Sequence, residues 1–562
     1  MLSLRLLTGL ALLLPTLAQA QPALPPSDDP GRIEQNLPPI APPPPSDDLV
    51  IPATEDRTPP AHADAIQFHL ESLVIEGVTV YSPQELEVFY RHLIGREITL
   101  RTLYDIANQL SAQYRQDDYV LSRVVVPAQT VEGGEVRLQA IEGYIEGVDL
   151  PDSSLPSGLQ QRILDYSNPL SQEQPLRLST LERSLLLIND LPGVTLASTL
   201  SPGTETGATR LRLTPRYEAI NAALGMNNQG SATLGPLRAQ GGIFLNSLVL
   251  GTGEQLSLTG GTTPAEVSQL TSFALGLDVP TGPDGLQFTS RFAYTHIRPG
   301  GALSVFSIDG ETYRGSLGLS YPLQRSRRQN IILRGSLEAS SRTTRTTLLG
   351  SPIMLSQDQQ VVARLAAQIN RQDASGIWWG DLELSQGLGG SPDAVDRPRS
   401  RAEGRLGFTS LRAEITRRQF LSAGFNLELG ATGQIASSSL LVGEQFGLGG
   451  NRFGRGFIAS EVLGDAGYGL RAELQRPFGY VLAGSPMVTQ PYLFYDYGQV
   501  FRYRPTVVEN ATDSLSSAGV GLRHSIGSWL LADLTLAFPL SRTDTPLANN
   551  APRFFFNLQA FF

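Results

Sequence analysis

From about Glu218 to the C-terminal Phe562 the chain alternates apolar and polar positions with a period of two. Tyr313, Gly315, Leu317, Leu319 and Tyr321 alternate with Arg314, Ser316, Gly318 and Ser320. Leu530, Ala532, Leu534, Leu536 and Phe538 alternate with Leu531, Asp533, Thr535 and Ala537, and the pattern returns at Phe554, Phe556, Leu558, Ala560 and Phe562. One face is apolar and aromatic and the other mixed or polar, as a wall between lipid and a wet lumen requires. Counting such segments predicts about sixteen strands, an even number as single-chain bacterial barrels have. A soluble β-sandwich seldom has so many strands, and its turns do not place aromatics so regularly at strand ends. The expected fold of residues 218–562 is therefore an all-β transmembrane barrel of antiparallel strands.

Upstream the periodicity changes. Between residues 66 and 143 the sequence predicts a compact α+β unit. A strand at Leu73–Ile75 ends at Gly77, and Ser82-Pro83-Gln84-Glu85 forms a capping box with proline at the first helical position. A second helix carries Leu103, Ile106, Ala107, Leu110 and Tyr114 on one face, and strands follow at Val120–Val126 and Glu135–Ile141. Residues 144–217 repeat the order. A strand at Ile145–Leu150, helices near Leu155–Tyr166 and Ser179–Leu191, a stop at Pro192-Gly193, and strands at Val194–Leu200 and Ala208–Leu213 are expected. Two such units leave sheet edges that could pair with an extended peptide.

The N-terminus has a different character. Arg5, the apolar run Leu6–Leu17 and Ala18-Gln19-Ala20 read as a secretory signal over residues 1–20, too short for a membrane anchor. Residues 21–65 are dense in proline and are expected to form an extended tether, with only Arg32–Leu37 able to make a turn or two of helix.

Composition narrows the chemistry. There is no cysteine, so disulfides and thiolate catalysis are excluded. All 43 basic residues are arginine, which removes the P-loop lysine, Schiff-base lysines and Ser–Lys dyads. A net charge of −10 argues against nucleic-acid binding. The five histidines (His62, His69, His92, His296, His524) show no metal-ligand spacing. Gly447-Leu448-Gly449-Gly450 is not a dinucleotide loop, because Arg452 stands where the third glycine would be. No G-x-S-x-G elbow is present, so an enzyme is disfavoured, although a barrel lipase could use dispersed Ser and His. No catalytic, metal or cofactor site is expected.

Two motifs stand out. The loop Gly449-Gly450-Asn451-Arg452-Phe453-Gly454-Arg455-Gly456-Phe457 presents one arginine between two glycines. The strand Leu493-Phe494-Tyr495-Asp496-Tyr497-Gly498 carries one acid among aromatics. By alternation Asp496 lies on the face opposite Leu493, Tyr495 and Tyr497, which is the lumen, where an arginine could pair with it through its planar fork. Glu473 lies on the inner face of the preceding strand, with Tyr468, Leu470, Ala472 and Leu474 outward, and is a second acceptor.

With these parts in place the chain resembles a TpsB transporter of two-partner secretion, of the ShlB/FhaC/HecB type, a relative of the BamA-like superfamily. The first unit is similar to a first POTRA domain through Tyr114, Val124–Pro127, Pro127-Ala128-Gln129 and Glu142-Gly143. The second carries Leu185–Val194 with Pro192-Gly193, close to the ShlB-type second POTRA signature. In that superfamily a long loop before the twelfth strand, here around 440–460, folds into the lumen and sets its arginine against an aspartate of an F-x-D-x-G strand. Arg455-Gly456-Phe457 and Phe494, Asp496 and Gly498 match those motifs, with Gly454 in place of the family's valine. Some members hold an N-terminal helix in the pore; the proline-rich segment here argues against a long one.

The resemblance implies capture of a large unfolded TpsA exoprotein by the POTRA domains, and its passage through the barrel. It also implies residence in the bacterial outer membrane, contact with its lipid, and a monomer. The barrel assembly machinery would be a partner during biogenesis, with terminal Phe562 as insertion signal. A BamA- or TamA-like assembly factor is the alternative, although such relatives usually carry more POTRA units. A diffusion porin or surface receptor has no need of periplasmic modules.

Overall fold

The computed structural model describes residues 24–37, 40, 58–151, 154–348, 350–391, 397–506, 509–542 and 551–562. The expected signal segment 1–20 lies outside the described residues. Within the stretch expected to be an extended tether, Pro26–Asp28 forms a 3-10 turn and Pro30–Asn36 a helix, α1, with residues 27–33 buried. The helix starts earlier than Arg32 because the Asp29 side chain accepts from Gly31 N–H and Pro30 occupies the first helical position. Seven residues cannot sustain a helix alone. Its hold is tertiary: Ile33 packs with Leu234, Leu270 and Ile297, and Asp29 accepts from Arg342 Nη1 at 2.7 and 2.8 Å. A proline-rich segment with a single well-buried apolar side chain is thus kept by the charged inner wall it meets.

The first α+β unit opens with a small pair of strands, Gln67–Leu70 and Arg96–Thr99, too short to show alternation in the sequence. Its main sheet orders Ser72–Glu76, Glu135–Ile141 and Arg123–Val125, covered by α2 (Pro83–Tyr90) and α3 (Leu100–Gln116). The capping box forms in full, with Glu85 N–H on Ser82 Oγ and Ser82 N–H on the Glu85 carboxylate. Leu103, Ile106, Ala107, Leu110 and Tyr114 are all buried, so the 3.6-residue stripe faces the core.

The second unit has the same order, with Tyr144–Asp149, Ala208–Tyr217 and Val194–Pro202 as the sheet, α4 (Ser157–Gln172) and α5 (Leu178–Asn189). Helix α4 outruns its expected end: Pro169 lies inside it and withholds one intrahelical N–H, but Leu159, Ile163, Tyr166 and Leu170 are buried along one face, so packing carries the helix past the proline.

The alternating region closes on itself. Seventeen paired segments form the ring, and two of them, Ala466–Gln475 and Phe478–Leu482, share one register against Ser485–Phe501 and make a single strand. The barrel therefore has sixteen antiparallel strands among the described residues. Its first strand, Ile220–Asn227, pairs with its last, Arg553–Phe561. Leu317, Leu319, Leu493 and Tyr495 are exposed on the outside, whereas Tyr492, Phe494 and Asp496 are buried within. The second α+β unit docks on the near rim: Arg325 reaches Asp190 at 2.7 and 2.8 Å, and Arg327 reaches Glu182 at 2.7 Å.

Candidate functional site

The segment 437–465 lies between the eleventh strand, Asn426–Ala436, and the twelfth, 466–482. It does not leave the barrel. Phe446–Leu448 pairs with Val462–Gly464 as a short hairpin, and Phe446, Leu448, Phe453, Phe457 and Val462 pack on Val500 and Leu515 of the wall. At its base the fully buried Asp465 accepts from Leu440 N–H (2.7 Å), Tyr503 N–H (2.6 Å) and Arg401 Nη1 (2.5 Å). Gly498 admits this packing, since a Cβ there would lie 2.6 Å from Leu448 Cδ1.

The tip carries the charge. Gly454 has φ +99°, and a Cβ on Gly456 would sit 2.8 Å from Ser517 Cβ, so both positions need glycine for the turn to press against the wall. That turn sets Arg455 against Asp496 with three hydrogen bonds, from Nε (3.0 Å), Nη2 (2.8 Å) and its own backbone N–H (2.9 Å). Gly454 N–H adds a fourth at 3.3 Å, so the position that departs from the family's valine takes part in holding the aspartate. Arg455 Nη1 also donates to Glu473, and the guanidinium lies 3.8 Å from the centre of the Phe494 ring. Arg455, Glu473 and Asp496 are all buried.

The chain of charges continues past the expected residues. Glu473 accepts from Arg523 and from Gln475 Nε2 (2.8 Å), and Arg523 Nε donates to Asp533 at 3.1 Å. The Tyr492 hydroxyl donates to Asp533 at 2.8 Å, and its ring lies 4.1 Å from the Arg523 guanidinium. Five ionised groups thus alternate in sign across the loop and strands twelve to fifteen. Strand parity could have found Arg523, which lies opposite the outward Val520 and Leu522.

Helix α1 joins the same assembly. Arg32 donates to the Gln445 carbonyl (2.8 Å), the Val442 carbonyl (3.1 Å) and Ser460 Oγ (3.1 Å), all on the in-folded segment. Arg314 donates to the Gly31 carbonyl at 3.0 Å. The only advance signal was the short helix-capable run Arg32–Leu37, which names no partner, since the partners are hundreds of residues away.

The other expected residues lie elsewhere. Gln129 exchanges two hydrogen bonds with the Arg137 backbone, at 2.7 and 2.8 Å, two residues after Pro127. Pro192-Gly193 forms the turn after α5, where Glu218 N–H meets the Gly193 carbonyl at 2.8 Å and the second unit joins the barrel. Phe562 exchanges backbone bonds with Ala222, at 2.8 and 2.9 Å, at the closing seam. For a metal, His296, Asp309 and Glu311 alone among the described residues gather suitable atoms, within 4.8 Å of one another. Arg298 already bonds Asp309 at 2.8 Å, which makes this an ion-pair cluster.

The profile of the haemolysin secretion/activation proteins ShlB/FhaC/HecB matches residues 207–524, and that of the ShlB-type POTRA domain matches residues 68–143. The chain belongs to the ShlB/FhaC/HecB family. It is a TpsB-type outer-membrane transporter, not an enzyme, and its POTRA domains are periplasmic. Heme/hemopexin transporter protein HuxB of Haemophilus influenzae strain 86-028NP is 24% identical over 477 residues, covering 81% of this chain and 80% of that one. Hemolysin transporter protein ShlB of Serratia marcescens is 24% identical over 481 residues, 83% and 82% of the two chains. Among solved structures, CdiB from Escherichia coli superposes with a TM-score of 0.71 at 19% identity, covering 91% of this chain and 94% of that one. BamA from Haemophilus ducreyi lacking POTRA domains 1–3 gives 0.51 at 13%, covering 88% and 100%. In this ShlB/FhaC/HecB member the near rim is therefore the periplasmic one.

Proposed function

We propose that this transporter captures a large unfolded TpsA-type exoprotein through its POTRA domains and conducts it through the barrel to the cell surface. Edge-strand addition suits such a client, because main-chain hydrogen bonds do not depend on its sequence. The clamp of Arg455 on Asp496 and Glu473 is the observation on which the reading rests. It holds the in-folded segment in one docked position, and undocking would leave buried charges unpaired. Arg455→Ala is expected to lower secretion of the client while barrel insertion and abundance stay near normal. Normal secretion would remove the clamp from the mechanism, and loss of the barrel would make it structural.

The fold shared with BamA favours one second reading, an assembly factor for other barrels. Comparing surface and secreted proteins with and without the gene separates the two. Loss of one very large exoprotein supports secretion, whereas a broad loss of barrels supports assembly.

A further inference from the structure

The second and third barrel strands, Arg238–Asn246 and Gln255–Thr262, are joined at the periplasmic rim by the turn 247–254. Its tip carries three consecutive aliphatic residues, Leu248, Val249 and Leu250, which are 50%, 56% and 55% exposed. Such a run facing water is unfavourable and marks a surface made for an apolar neighbour.

The turn is rigidly built. The buried Glu254 carboxylate accepts the N–H groups of Val249 (2.9 Å), Leu250 (2.7 Å) and Gly251 (3.2 Å) on one oxygen, and of Thr252 (2.8 Å) on the other. Ser247 N–H donates to the Glu254 carbonyl at 2.7 Å. In water, solvent would satisfy those N–H groups. A carboxylate that satisfies all of them internally lets the tip enter a medium that has no hydrogen-bonding partners to offer.

Two neighbours say what that medium is. On the barrel side the turn continues the lipid-facing surface of the adjoining strands, where Ile220, Leu224, Ile243 and Leu258 are exposed. Leu245, just before the turn, stands opposite both Ile220 and Leu256. On the other side the turn abuts the second POTRA domain. A Cβ on Gly158 would lie 2.5 Å from the Gly251 carbonyl, and one on Gly253 would lie 3.1 Å from Leu191.

We infer that Leu248, Val249 and Leu250 insert among the acyl chains of the periplasmic leaflet of the outer membrane. The turn then acts as a wedge that fixes the second POTRA domain against the membrane. The chain's lack of cysteine allows a direct test. Val249→Cys in the full chain is labelled with bimane and reconstituted in phosphatidylethanolamine–phosphatidylglycerol vesicles, with or without brominated acyl chains. Val88→Cys, at a 76% exposed site on the first POTRA domain, is the aqueous reference. The inference expects a blue-shifted emission at position 249 and quenching by brominated lipid at least about twofold stronger than at position 88. Water-like emission without bromine quenching would overturn it. So would shielding that appears only when an unfolded client polypeptide is added, which would assign the patch to the client. Leu248→Cys supplies the same measurement should Val249→Cys fail to assemble.

Discussion

Arg455 acts as a hub because its guanidinium offers more donors than one carboxylate can take. Two of its nitrogens engage Asp496 and a third engages Glu473, which Arg523 shares. Burial makes this arrangement close to all-or-none. Removing one partner of a buried, hydrogen-bonded pair typically costs about 3–5 kcal/mol, because the other charge is left without water or counter-ion. Asp496→Ala should therefore undock the tip, and trypsin added to outer-membrane vesicles should gain cleavage at Arg452 and Arg455 that wild type resists. Glu473→Gln keeps the Asp496 contacts and should give a smaller gain. Equal protection of all three proteins would show that apolar packing of Phe453 and Phe457 alone holds the segment.

At the scale of elements, α1 and the in-folded segment occupy the lumen as a joined pair. The helix buries one large apolar residue, Ile33, and owes its position mainly to Asp29–Arg342, Arg314 and the three bonds of Arg32. Arg32→Ala removes every hydrogen bond by which Arg32 reaches the segment and should loosen the helix without disturbing the wall. The expected result is a higher single-channel conductance, or more frequent openings, in planar bilayers. Deletion of residues 24–37 should give a larger effect of the same sign. Unchanged conductance in both would mean that the segment alone closes the pore.

For the whole molecule, closure depends on a short seam. The first and last strands pair over Asn227–Ala223 and Asn557–Phe561, and Phe562 adds its backbone to Ala222. Neighbouring strands such as Gln329–Leu348 and Ser351–Asp373 pair over far longer stretches. Deleting Phe562 removes both a seam rung and an exposed terminal ring, and should impair assembly more than transport. The heat-modifiable folded band on unboiled gels reports this, with secretion normalised to folded barrel. Normal folding with lost secretion would contradict it.

Period-two alternation alone determined the barrel, its strand count and the faces of Asp496 and Glu473, because side-chain direction in a strand follows from position. Helical periodicity and the Ser82 capping box likewise determined most of the two α+β units. Alternation also places Arg523 inside, but parity names a face and not a partner. The tertiary structure decided what no local pattern carries: that a proline-rich stretch becomes a helix within the lumen, and that Arg32 reaches residues more than four hundred positions away. Those contacts join segments that are remote in sequence, and their strength comes from burial, which only the closed barrel creates.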